Sequence, residues 1–191
     1  PSDGLLCLGT RAQGPLGETF YGSVASAALR ASTAPLVLVG PRVAAPHRDR
    51  IQRVLVCLDG SMHAEAILAT VSSWAEAQAI EVRLLYVAPP PVIDSEWEPF
   101  PDEEQRRILT RIERSARELR ASGLDADWMI AEEPHVAGAV VRQAAYRSVD
   151  LIAMATHGRT GLRRVLTGSV SAEVVRTAQV PVLLVRPGTL S

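Results

Sequence analysis

The chain has no lysine. All 20 of its Lys and Arg residues are arginine. A Walker-type phosphate-loop lysine, a Schiff-base lysine and a kinase-type strand lysine are therefore excluded. Cysteine is scarce: Cys7 and Cys57 are the only two, each inside an apolar run. Such residues read as small buried hydrophobes and not as a disulfide or redox pair, and a cytosolic setting follows. An excess of one charge is also missing. The net charge of −1 argues against a polyanion-binding surface, so neither nucleic acid nor membrane is an expected partner. No apolar run approaches the ~18 residues of a membrane span, and no basic region of a secretory leader precedes the first one. The four histidines, His47, His63, His135 and His157, lack Cys or acidic partners at ligand spacing, so no structural metal is expected.

What the chain does have is one motif twice. Near the C-terminus, Asp150 to Gly161 reads DLIAMATHGRTG, followed by Gly168-Ser169-Val170 and then Pro181-Val-Leu-Leu-Val-Arg-Pro187. Near the N-terminus stand Leu5-Leu-Cys-Leu-Gly-Thr10, Gly22-Ser23-Val24 and Pro35-Leu-Val-Leu-Val-Gly-Pro41. A single offset of 146 residues aligns the two without a gap, and Leu5, Thr10, Leu16, Gly22, Ser23, Val24, Arg30, Pro35, Leu38, Val39 and Pro41 all recur. That period is domain-sized, well beyond the roughly 20 to 50 residues of solenoid repeats. The expected organisation is the C-terminal part of one domain at 1–41, a polar linker at 42–50 and a complete domain at 51–187.

Within 51–187, strand and helix patterns alternate. Arg53 to Asp59 is a nearly continuous apolar run, as expected for a strand buried on both faces. Helix is predicted from about Met62 to Ala79, with Ala66, Ile67, Thr70, Val71, Trp74 and Ala75 on its apolar side. Further strands are predicted at 81–87, 127–131, 151–155 and 182–185, and further helices at about 102–121, 135–147 and from 168 to before 180. The helix at 102–121 mixes five acidic residues with six arginines, which predicts a solvated helix with a narrow buried stripe at Ile108, Leu109, Ile112 and Leu119. A loop of more than 12 residues, of a length usually tied to function, separates it from the strand before. Five β-α units predict an open five-stranded parallel sheet with helices on both faces. The N-terminal piece supplies only strand, helix and strand, and is expected to pack on the complete domain.

In such sheets ligands bind beyond the carboxyl ends of the strands, where strand order reverses. The first strand of the complete domain ends at Leu58-Asp59-Gly60-Ser61. The fourth ends at Ala155-Thr-His-Gly158, and Gly168-Ser169 then opens a helix. Glycine and serine at a helix start present backbone N–H groups and a hydroxyl to an anion. Gly158 permits close backbone approach, and Arg159, Arg163 and Arg164 add positive charge. Taken singly, a Gly-Ser before a helix is more often a plain cap and Asp59 could simply cap the first helix; the combination at neighbouring strand ends is sharper. Ser61 and Ser169 have no His/Asp arrangement nearby and no G-x-S-x-G elbow exists, which argues against acyl-transfer hydrolysis. The glycines also fail the dinucleotide fingerprint.

On these motifs, residues 51–187 resemble a universal stress protein domain across their whole length, and residues 1–41 resemble the C-terminal part of another. The resemblance implies the nucleotide-binding, adenine nucleotide α-hydrolase-like fold, frequent dimerisation, and ATP bound through a Gly-x2-Gly-x9-Gly-Ser/Thr signature. The x9 spacing holds between Gly158 and Gly168, but Ala155 stands where the first glycine belongs. By resemblance, Leu58, Asp59 and Val87 hold adenosine, while Gly158, Arg159, Gly168, Ser169, Val170 and Ser171 hold ribose and phosphates. A methyl at position 155 costs about 1–3 kcal/mol if it overpacks and nothing if it points away. The N-terminal copy has Ala12 in place of Gly158 and lacks the aspartate strand, so it is not expected to hold nucleotide by itself.

The expected function is a regulatory module that takes ATP, with a divalent ion, and couples binding to the order of the 157–167 loop. Dimerisation, between chains or within one, is expected through the last strand. The alternative is a dimerisation scaffold of the same fold with a decayed site. Slow ATP hydrolysis finds no general base beyond Asp59.

Overall fold

The computed structural model describes residues 4–10, 23–31, 34–44, 50–90, 102–155 and 169–186. In chain order the elements are β1 (Leu6–Gly9), α1 (Ser23–Ala31), β2 (Leu36–Val39), β3 (Arg53–Leu58), α2 (Met62–Gln78) and β4 (Glu81–Ala88). These are followed by α3 (Glu103–Ala121), β5 (Ala126–Glu132), α4 (Val136–Tyr146), β6 (Leu151–Ala155), α5 (Ser169–Thr177) and β7 (Val182–Val185). The long loop at 91–101 lies outside the described residues.

The strands form one sheet in the order β1-β2-β7-β6-β3-β4-β5. The expected five-stranded parallel sheet is the stretch from β7 to β5, and β1 and β2 extend it to seven strands. Every neighbouring pair is parallel except β2 and β7. Those two run antiparallel, with Leu36 opposite Leu184, Val37 opposite Leu183 and Leu38 opposite Val182. Under the 146-residue offset, Leu36 corresponds to Val182, Val37 to Leu183 and Leu38 to Leu184. The pairing is thus self-complementary about Val37 and Leu183, the geometry of a two-fold interface, here within one chain. Gly40 sits so close to α5 that a Cβ there would stand 1.9 Å from the Val175 carbonyl oxygen.

Two apolar layers flank the sheet. Ala64, Ile67, Val71 and Ala75 of α2 and Ile108, Ile112, Ala116 and Leu119 of α3 cover one face, against Val54, Val56, Leu84, Leu151 and Leu183. On the other face α1, α4 and α5 cover Leu36, Leu38, Leu55, Leu85, Ile152, Val182 and Leu184. The alternation of cover along single strands is why these strands read as unbroken apolar runs. The buried stripe of α2 falls on Ala64, Ile67, Thr70, Val71 and Ala75, while Ala66 and Trp74 are only partly buried. Helix α3 buries Ile108, Ile112 and Leu119 of its expected stripe together with Ser115 and Ala116, while Leu109 is partly buried, and it starts with a capping box between Asp102 and Gln105.

One expectation fails for Cys7, which is exposed, and holds in part for Cys57, which is partly buried at the residue level. Strand β1 is an edge strand, and an apolar sequence is buried only where a neighbour covers it. At the amino ends of the central strands, Arg53 Nε donates to Glu81 at 2.6 Å, and Arg83 donates to Glu81 at 3.1 Å and Asp125 at 2.9 Å. The Arg53 guanidinium holds Glu81 below its ordinary carboxylate range, and Arg83 does the same for Asp125. This charged network lies at the end of the sheet opposite to Asp59. Among the described residues no helix is long and apolar enough to cross a membrane.

Candidate functional site

Strand order reverses between β3 and β6. From β3 the chain proceeds outward to β4 and β5, then returns to β6 on the other side of β3 and on to β7. The register places Cys57 opposite both Leu85 and Met154, and Leu58 opposite Tyr86. Continued by one residue, it sets Asp59 level with Val87 and Leu58 level with Ala155. The topology therefore gathers Leu58, Asp59, Val87 and Ala155 at one end of three adjacent strands. Helix α5 follows parallel β6 and begins at that same end with Ser169, Val170 and Ser171. Gly158, Arg159 and Gly168, together with Arg163 and Arg164, lie outside the described residues.

The turn after β3 is tightly built. Asp59 Oδ1 accepts hydrogen bonds from the Ser61 amide at 2.9 Å and the Ser61 hydroxyl at 2.7 Å. The Ser61 Oγ in turn accepts from the Ala64 amide at 3.1 Å and caps α2. The helix cap is thus Ser61, and Asp59 is a partly buried carboxylate two residues before it. Gly60 has φ +79°, a left-handed conformation that glycine adopts without strain. The Ser61 hydroxyl is thus committed to Asp59 and to the start of α2.

Ala155 packs against the cluster under α2 and α3, whereas α5 packs on the opposite face of the sheet. Its methyl group is directed away from the α5 side. At the start of α5, Ser169 is exposed, Val170 is partly buried and Ser171 is buried; the first turn carries no acidic residue. No acidic side chain in the first turn of α5 opposes an anion at Ser169. At Cys57, two residues before Asp59, burial pushes the thiol up to about 12, which disfavours the thiolate. No group of three or more His, Cys, Asp and Glu side chains that could hold a metal ion occurs among the described residues.

Two contacts at this end escaped the sequence reading, which places Ile108 in the buried stripe of α3 without a partner and gives Arg111 no role. Ile108 and Arg111 of α3 both press on the Gly60 turn. Nothing in the local pattern of an arginine-rich helix marks the Arg111 contact, because it spans 51 residues.

The universal stress protein family model matches residues 50–186. The chain belongs to the universal stress protein family. It is 38% identical to a universal stress protein of Thermus aquaticus over 135 residues, covering 70% of this chain and 97% of that protein. A Mycolicibacterium smegmatis universal stress protein is 28% identical over 187 residues, which cover 96% of this chain but 62% of the relative. The chain thus spans about three fifths of that relative's length. Among solved structures, protein MJ0577 of Methanocaldococcus jannaschii is 30% identical, with a TM-score of 0.60 over 71% of this chain and 96% of that one. A universal stress protein solved in complex with cAMP shares the fold at 21% identity, with a TM-score of 0.55 over 72% of this chain and 98% of that one.

Proposed function

We propose that this universal stress protein is a regulatory module that binds one adenine nucleotide per chain, ATP with a divalent ion, at the β3–β6 crevice. The observation that carries this reading is the orientation of Ala155. The signature glycine is absent, yet the methyl group in its place packs on the α2 and α3 side, away from α5. The departure that would otherwise argue for a decayed site therefore keeps its added methyl group off the α5 side of the crevice. Asp59 and the end of β4 near Val87 are suited to the adenosine part. The glycine loop from Gly158 to Gly168, Arg159, and the start of α5 from Ser169 to Ser171 are suited to ribose and phosphates, with the exposed Ser169 the best placed of the described residues. The cAMP complex of a related fold supports the adenine nucleotide class.

In this reading the module binds and does not catalyse, and nucleotide orders the 157–167 loop for a partner to sense. The repeat, together with the self-complementary β2–β7 pairing, supports residues 1–41 as the C-terminal part of a first domain and 42–50 as a linker. The last strand then serves a pseudo-dimer inside the chain. Two free cysteines, one of them exposed, suit a reducing cytoplasm.

The same pairing favours a second reading, a scaffold that needs no ligand. Substituting Gly168→Val separates the two. Loss of ATP affinity with the fold and oligomeric state intact supports the nucleotide module, whereas undiminished affinity supports the scaffold.

A further inference from the structure

Helix α3 grips the turn that carries Asp59. A Cβ on Gly60 would stand 2.6 Å from Ile108 Cγ1 and 2.7 Å from Cγ2, so the bare glycine backbone lies flat against a buried isoleucine. One helical turn further on, Arg111 Nη1 donates to the Gly60 carbonyl oxygen at 2.6 Å. Its Nε lies 3.5 Å from Glu65 in the first turn of α2. One guanidinium thus spans the residue after Asp59 and the helix that Ser61 caps, a span suited to a planar fork of donors. Asp59 meanwhile bonds across the same glycine to Ser61. The direction of the Asp59 carboxylate depends on the Gly60 peptide, and the Gly60 peptide is held from outside by α3.

We propose that Arg111 is a positioning residue for adenosine recognition: through the Gly60 carbonyl it fixes the Asp59 turn in its ligand-binding conformation. This rests on the nucleotide reading above, and it assigns a role in that site to a residue outside the buried stripe that the sequence marks on α3. Arg111 touches no ligand in this account. Its effect is confined to the nucleoside end of the site, because the phosphate end is built on α5 across the sheet.

The test uses the full chain with Arg111→Met, which keeps the aliphatic stem and removes the donors, and Arg111→Lys, which restores one charged donor. Adenosine, ATP and inorganic triphosphate are the probes, measured by calorimetry alongside thermal unfolding. Arg111→Met is expected to weaken adenosine and ATP by the same factor, about tenfold for a lost charge-assisted hydrogen bond, and to leave triphosphate unchanged. Arg111→Lys recovers part of that loss, and the melting temperature moves little. Unchanged adenosine affinity overturns the proposal, and so does a loss confined to triphosphate, which would make Arg111 a phosphate contact. If the unsubstituted chain binds none of the probes, the nucleotide reading fails, and Ser61 amide exchange then decides the positioning claim. Faster exchange in Arg111→Met upholds the brace, and equal exchange refutes it.

Discussion

The two copies of the repeat match where they face each other and differ where only one has neighbours. At the β2–β7 seam, Leu36, Leu38 and Ala25 are as buried as their counterparts Val182, Leu184 and Ser171. At the far side the equivalence ends. Leu151 is 1% exposed and Leu5 is 50%; Ile152 is fully buried and Leu6 is 36% exposed. Val170 packs into the second apolar cluster, whereas its counterpart Val24 is 70% exposed. The C-terminal copy has β3 beside β6 and α4 beside α5, and among the described residues nothing of that kind flanks β1 or α1. Strand sequence sets what can be buried, and the neighbour decides whether it is.

The two thiols give the largest expected difference. Cys7 on β1 should react with an aromatic disulfide reagent at least about a hundredfold faster than Cys57, whose thiol burial pushes up to about 12. Equal rates would mean that β1 is covered. Next comes the seam. Gly40→Ala drives a Cβ into the Val175 carbonyl and should cost about 3 kcal/mol, felt chiefly as lost amide protection in β1 and β2. The β7 edge freed in this way should promote concentration-dependent self-association in sedimentation, and a profile unaltered from that of the unsubstituted chain would break the two-fold reading of the seam. A matched pair of truncations then compares the copies directly by denaturant unfolding. Ile152→Ala should cost about 2–5 kcal/mol and Leu6→Ala less than about 1 kcal/mol.

The smallest effect concerns acid. Glu81 and Asp125 titrate below their ordinary range in the fold, so their contribution is present above the unfolded carboxylate values and is lost as pH falls through the lowered folded ones. Both are substantially exposed and screened, so Glu81→Gln should remove no more than about 0.5 kcal/mol at neutral pH and flatten the acid limb below about pH 4.5.

Much of this was legible in the sequence. The apolar runs at 53–58 and 151–155, the amphipathic spacing of α3 and the 146-residue repeat located the strands, the layers and the crevice between β3 and β6. Exposure was not legible for Cys7 and Leu6, because a parallel-sheet strand and an edge strand share one composition. The brace from Arg111 and Ile108 to Gly60 was hidden for a different reason: it joins elements far apart in the chain, and an arginine that clamps a carbonyl looks like one that faces water. The direction of the Ala155 methyl also needed the sheet, since it follows from strand alternation against two layers.

The account's central claim is a single working crevice in the C-terminal copy. Calorimetric titration of ATP with Mg²⁺ into the purified chain, after carried-over nucleotide has been removed by denaturation and refolding, tests it most directly. Saturable binding at one site per chain is the predicted result. No heat, with no nucleotide released on denaturation, would contradict it and leave the two-fold seam as the chain's principal working feature.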